Sequence, residues 1–204
     1  PTCITGNRPW IPRISAQASK YKQFQATAMD LKHTRMALTL VLMTLLATFS
    51  PAVTATEQAT AFFLVRHAEK SDDGTDPPLS AEGQARSQQL AELLKDAAID
   101  AIFSTDFHRS RDTAAPLARA LGLELRLYDP AELEAFAADL VERGGRVLVV
   151  GHSNTTPELA QHLGGTPGSE IDEEREYDRL YILTPRSDGT TTTVLLRYGK
   201  VFSP

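Results

Sequence analysis

The feature that most constrains this chain is an alternation. From Thr60 onward, short apolar runs are followed by stretches with a helical apolar face, and the cycle repeats. "TAFFLV" (60–65) is a continuous apolar run. "SAEGQARSQQLAELLKDA" (80–97) opens on a Ser cap, places Glu at 82 and carries an apolar face through Ala85, Leu90, Leu93 and Leu94. "IDAIFS" (99–104), "LELRLY" (123–128) and "RVLVVG" (146–151) read as strands. "RSRDTAAPLARALG" (109–122), "PAELEAFAADLVERGG" (130–145) and "TTPELAQHLGG" (155–165) read as helices, with Pro116 a kink and Gly122 a stop. "DRLYILT" (178–184) and "TTTVLLRYG" (191–199) follow as two strands joined through the turn-prone "PRSDG". This pattern predicts an α/β three-layer sandwich, a mostly parallel central sheet with helices on both faces.

The first part of the chain does not share the pattern. Residues 1–28 mix Pro, Ser, Gln and basic residues with no period of 2 or 3.6, which predicts a disordered or upstream extension. Residues 29–55 have the layout of a secretory signal peptide. Lys32, His33 and Arg35 form a positive region, Ala37 to Phe49 an apolar run of 13 residues, and Val53-Thr54-Ala55 a small-residue cleavage site. A spanning helix needs about 20 apolar residues, so the expectation is cleavage after Ala55, no stable membrane anchor, and a secreted or periplasmic domain over 56–204.

That domain is acidic. It holds 15 of the 21 Lys and Arg and 25 of the 26 Asp and Glu, a formal net charge of −10. Such a surface has no general attraction for nucleic acid or anionic lipid. The single cysteine, Cys3, lies outside it, so it contains no disulfide and no Cys-ligated metal.

Against that background, three predicted strands end in basic side chains. "LVRHAEK" supplies Arg66 and His67, "IFSTDFHRSR" supplies His108, Arg109 and Arg111, and "LVVGHSNTT" supplies His152. In open α/β sheets ligands sit beyond the carboxyl ends of the strands, so these ends describe a local anion pocket. A guanidinium fork matches phosphate oxygens bidentately. A histidine among guanidinium groups has its protonation disfavoured, which keeps a ring nitrogen free as nucleophile. Together they can bind phosphate, attack it and stabilise the equatorial oxygens of the transition state. The chemistry calls for no cofactor and no metal, and for a small phosphorylated substrate.

These motifs resemble the histidine phosphatase superfamily, also called the phosphoglycerate mutase-like family. The likeness rests on "LVRHAEK", on "STDFHRSRDTA", which is similar to the family's S-x-(D)-x-x-R-(A)-x-x-T-A stretch, on "VLVVGHSNT", and on "DPPLSAEGQAR" at the first helix entry. It covers nearly all of residues 60–165. The resemblance implies a phosphoglycerate mutase-like fold, His67 as the phosphohistidine nucleophile, Arg66 and Arg109 as phosphate-pocket arginines, and His152 as the fourth pocket residue. Arg109, rather than Arg111, stands four residues before Thr113 as the motif requires.

The family often supplies a general acid after the third strand or after the second histidine. At the first location Asp129 is the candidate and Glu132 the second, although Asp129 before Pro130 is equally suited to a helix start. At the second location stand Ser153 and Asn154, which disfavours the phytase-like branch; Asn154 is a candidate phosphate contact. Glu69 and Lys70 are expected to orient the site or touch substrate, and the charge run "EIDEEREYDRL" (170–180) to form a solvated face. The leading expectation is a metal-independent phosphomonoester hydrolase of acid type. The alternatives are a phosphohistidine-protein phosphatase, a mutase-like phosphotransferase, and an inactive phosphate-ligand binding domain.

Overall fold

Strand β1 (Ala61–Arg66) is buried at every position, and β4 (Arg146–Gly151) at all but its first. The two lie side by side in parallel, the expected placement for runs with no polar face. The computed structural model describes residues 59–72 and 74–203; the predicted extension (1–28) and signal peptide (29–55) lie outside the described residues.

Around this central pair the described strands form one sheet of order β3-β2-β4-β1-β5-β6. Strands β2 (Ala101–Ser104) and β3 (Leu125–Leu127) run parallel to β4, whereas β5 (Arg179–Pro185) is antiparallel to β1 and β6 (Thr191–Arg197) antiparallel to β5. The mostly parallel sheet expected from the alternation is therefore present, with an antiparallel hairpin on one side. The helices are α1 (Ala81–Leu94), α2 (His108–Leu121), α3 (Leu133–Arg143) and α4 (Thr155–His162).

Successive strand residues point to opposite faces, and this divides the core in two. Phe63, Val65, Leu148 and Val150 pack with Leu90 of α1 and Leu117 of α2 on one face. Phe62, Leu64, Val147 and Val149 pack with Leu140 of α3 and Leu159 of α4 on the other. Each such buried side chain contributes roughly 1.5–3 kcal/mol of hydrophobic stabilisation before conformational entropy is counted.

Of the elements shorter than the sequence pattern predicts, β3 and α3 are so for local reasons. β3 keeps only three residues because it is the exposed outer strand. α3 begins at Leu133 rather than 130, because the Asp129 carboxylate accepts from the Ala131 amide (2.9 Å) and holds the chain in a turn first. α2 continues through Pro116 to Leu121, where Gly122 at φ 66° ends it.

Strand register sets the site. Arg66 pairs with Gly151, so the next residues, His67 and His152, leave the sheet side by side. Ser104 pairs with Val150 on the other side of β4, which brings the start of α2 to the same edge.

Candidate active site

The turn that carries His67 is fixed from two directions. The Glu69 carbonyl accepts from the Ser80 amide (2.9 Å), and a Cβ on Gly83 would lie 2.1 Å from that same carbonyl oxygen. Only glycine lets the loop rest directly on the first turn of α1. The Glu69 carboxylate is gripped by Arg86 (Nη2, 2.7 Å), whose Nη1 also donates to the Tyr198 carbonyl (2.7 Å). Glu69 thus ties the loop to α1 and the last strand. On the other side, the Ala68 amide donates to Thr113 Oγ1 (2.9 Å), and that hydroxyl donates to the Arg109 carbonyl (2.7 Å). The loop after β1 and the first turn of α2 move as one.

His67 Nδ1 lies 2.8 Å from the Ala68 carbonyl oxygen. A carbonyl can only accept, so Nδ1 carries the proton and Nε2 keeps its lone pair. Burial is the main force holding the ring neutral and prevails over the opposing Ala68 carbonyl; Arg66, His152 and Arg109 act in the same direction as burial. The His67 pKa is depressed to about 3. His152 is lowered to about 4 by burial, then by Arg109 and Arg66. Its Nε2 is 3.0 Å from Thr105 Oγ1, its ring centroid is 5.3 Å from that of His67, and Phe107 meets it edge-on at 5.2 Å. Gly151, just before His152, lets Thr155 and Tyr128 close on the end of β4, since a Cβ there would lie 2.9 Å from both Thr155 Oγ1 and Tyr128 Oη.

The two arginines are held but not neutralised. Arg66, 2% exposed, donates from Nη1 to the carbonyls of Asp172 (3.1 Å) and Glu176 (2.9 Å) and from Nη2 to that of Glu173, with its guanidinium 4.0 Å from the Tyr177 ring centroid. Burial lowers its pKa, against the pull of Tyr177, Glu173 and Asp172. Arg109 stacks on Phe107 (4.4 Å) and sits 3.6 Å from the Asp76 carboxylate, which also accepts from the His108 amide (3.0 Å). The Nε atoms of both arginines are buried without a partner among the described residues. An unmet buried donor is costly unless an acceptor arrives.

His67, Arg109 and His152 border a cavity of about 630 Å³, lined also by Asn154, Lys70 and Glu173; Arg66 lies behind His67, outside its lining. The structure brings His67, Arg66, Arg109 and His152 together. Asn154 lines the cavity at the start of α4. Asp129 and Glu132 line a neighbouring hollow with Phe103 and Phe136 instead, and the Asp129 carboxylate is turned onto the Ala131 amide. Arg111 pairs with Asp106 at the surface.

The segment 170–180 corrects the expectation of a solvated face. Glu176, Asp178 and Arg179 are 3%, 0% and 4% exposed. They form a buried ion-pair network with Arg197, and the backbone between Asp172 and Glu176 caps Arg66. Sequence reasoning also missed the hydroxyls of Thr105 and Thr155, the latter accepting from the His152 amide (2.9 Å). The signal available for the segment was Tyr177 between two acids immediately before the apolar run of β5, where a charge enters the sheet rather than solvent.

The arrangement can hold an oxyanion between guanidinium groups and present an uncharged imidazole nitrogen to it. Comparison with known proteins agrees. Residues 62–132 match the family model of the histidine phosphatase superfamily (branch 1). A 75-residue stretch is 39% identical to "Probable phosphoglycerate mutase GpmB" of Escherichia fergusonii, covering 33% of this chain and 34% of that protein; the chain thus matches about a third of the relative's length. Among solved structures, the protein histidine phosphatase SixA complexed with tungstate superposes with a TM-score of 0.55 at 22% identity, over 67% of this chain and 96% of that one. The alpha-ribazole phosphatase from Shigella flexneri gives 0.54 at 16% identity, over 71% and 99%. These two likenesses establish the fold. Residues 62–132 thus match the histidine phosphatase superfamily in sequence, and the domain shares its fold with those two structures.

Proposed function

We propose that the protein is a phosphomonoester hydrolase that works through a phosphohistidine on Nε2 of His67, on small substrates and without a metal ion. The observation that carries this is the Nδ1 contact of His67 with the Ala68 carbonyl, which leaves a neutral, lone-pair-bearing Nε2 beside two guanidinium groups with unmet donors. The phosphate binds between Arg66, Arg109 and His152, and Nε2 attacks phosphorus in line with the departing oxygen. The P–O bond breaks as the P–N bond forms, and the guanidinium groups take up the charge on the equatorial oxygens. Water then attacks the phosphohistidine, the P–N electron pair returns to Nε2, and inorganic phosphate leaves. The positive charge a metal would supply comes here from the two arginines. With His67 neutral down to a pKa of about 3, the nucleophile stays competent in acid, which supports an acid-type enzyme. The leader expected at residues 29–55 supports work outside the cytoplasm.

The test is turnover of p-nitrophenyl phosphate by the purified protein in EDTA, beside His67→Ala. Wild type should turn over and form an acid-labile, base-stable phosphoenzyme, and His67→Ala should lose at least about 10³-fold with no phosphoenzyme. Activity retained in His67→Ala would rule this chemistry out. Phosphate binding without turnover would favour an inactive binding domain, and labelled enzyme that returns its phosphate only to a second substrate hydroxyl would favour a mutase.

A further inference from the structure

Breaking an ester of a poor leaving group requires a proton for the departing oxygen, and the position expected to supply it, Asp129, faces another hollow. Of the residues lining the cavity around His67, Glu173 alone carries a carboxyl group. We propose that Glu173 is the general acid of the first step and the general base of the second; the inference rests on the phosphohistidine reading above.

Three observations support it. Glu173 is placed by the phosphate pocket itself, because Arg66 Nη2 donates to its backbone carbonyl while Nη1 holds the carbonyls of Asp172 and Glu176 on either side. The surrounding turn is rigid: Asp172 Oδ1 accepts from the amides of Glu174 (3.0 Å) and Arg175 (3.1 Å), and Glu176 Oε2 accepts from that of Asp172 (3.1 Å). The other acids of this run are engaged by arginines, Asp172 by Arg175, Glu176 by Arg179 and Arg197, and Asp178 by Arg197. Among the described residues no hydrogen bond or ion pair holds the Glu173 carboxylate, which is exposed at the cavity rim. A fixed backbone with an uncommitted carboxyl group is the arrangement a proton donor needs.

The competing groups are less suited. His152 is neutral with Nε2 already against Thr105, and Lys70 offers only an ammonium. The exposed carboxyl group enters the cycle carrying a proton exchanged with solvent. As Nε2 of His67 bonds to phosphorus, the P–O electron pair moves to the ester oxygen, which takes the Glu173 proton and leaves as an alcohol. The carboxylate then accepts a proton from the water that attacks phosphorus, and the P–N pair returns to His67. Protons and electrons balance over the cycle.

The experiment compares wild type and Glu173→Gln on two esters. Phenyl phosphate releases a phenol about as basic as a tyrosine side chain, pKa about 10, and p-nitrophenyl phosphate releases a far weaker base. The readout is kcat/KM, which reports only the steps up to alcohol release. Glu173→Gln should lose about 10²-fold on phenyl phosphate and less than about threefold on p-nitrophenyl phosphate, while its phosphoenzyme, formed from the second ester, persists longer than in wild type. The fold should be unchanged, since Arg66 grips the backbone and not the side chain. Equal losses on both esters, no loss on phenyl phosphate, or a wild type inert to phenyl phosphate would overturn the role of Glu173. A wild type that turns over p-nitrophenyl phosphate with no base-stable phosphoenzyme overturns the phosphohistidine reading instead.

Discussion

The domain contains two pairs of arginines, each with one fully buried member, and treats them in opposite ways. Arg179 and Arg197 meet Glu176 and Asp178: Arg179 Nε donates to Glu176 Oε1 (2.6 Å), its Nη1 to Ser169 and Tyr181 oxygens (2.6 and 3.0 Å), and its Nη2 to Glu176 Oε2 (3.0 Å). Arg197 Nη1 reaches Glu176 (2.7 Å) and Asp178 (2.6 Å). Two positive charges face two negative ones, and every nitrogen of Arg179 has an acceptor. Arg66 is instead held by neutral carbonyls, Arg109 has one carboxylate at 3.6 Å, and both keep an unmet Nε. Carbonyl oxygens orient a guanidinium group without cancelling its charge. One pair therefore holds the β5–β6 hairpin to the domain, and the other keeps its charge for a ligand.

Substituting one arginine from each pair tests this contrast most strongly. Arg179→Ala leaves Glu176 buried without its main partner and should cost about 3–5 kcal/mol in urea denaturation. Arg109→Ala should leave stability within about 1 kcal/mol of wild type yet lower kcat/KM by about 10²–10³-fold. Inorganic phosphate should raise the Tm of wild type and leave that of Arg109→Ala unmoved. Equal unfolding costs for the two variants would erase the distinction.

Acid should act on the two regions in different pH windows. His67 and His152 are lowered from 6.5 to about 3 and about 4, so below pH 6.5 the unfolded chain binds more protons than the folded one. Stability then falls with pH, by at most about 1.4 kcal/mol per unit for each histidine. Burial works against ionised Glu176, but its hydrogen bonds from Arg179, the Asp172 amide and Arg197 prevail, holding it below 4.5; its contribution is lost only as pH falls through its folded value. Unfolding measured from pH 7 to pH 4 should show a shallower decline for His152→Gln than for wild type. Parallel curves would mean that the cavity histidines are not held neutral by the fold.

The same contrast explains what the sequence made legible. Apolar runs such as "RVLVVG" announce central strands because burial on both faces leaves no polar position, and residues directly after those runs must emerge at one edge. Arg66, His67, Arg109 and His152 were visible for that reason. The acids were not. Asp129 also follows a strand, but one hydrogen bond to Ala131 turns its carboxylate away. Glu173 and Glu176 sit three residues apart in a charge run, and only the tertiary partners Arg66, Arg179 and Arg197 separate the rim residue from the buried one. Thr105 and Thr155 act through single hydroxyls, which no local pattern marks; Thr113 was visible only by its place in the motif around Arg109.

Thr105 offers the finest test, because it changes neither charge nor shape. Its hydroxyl lies 3.0 Å from His152 Nε2 and the residue is fully buried, so it fixes the orientation of the ring. Valine replaces the hydroxyl with a methyl of similar size. If the cavity needs only positive charge from Arg66 and Arg109, Thr105→Val should be silent in turnover. If the orientation of a neutral His152 also matters, kcat/KM should fall about tenfold while stability changes by about 1 kcal/mol, and Thr105→Ser should restore the rate. A loss that serine does not rescue would assign the effect to packing around Phe107, and the functional region would then reduce to Arg66, Arg109 and the nucleophilic His67.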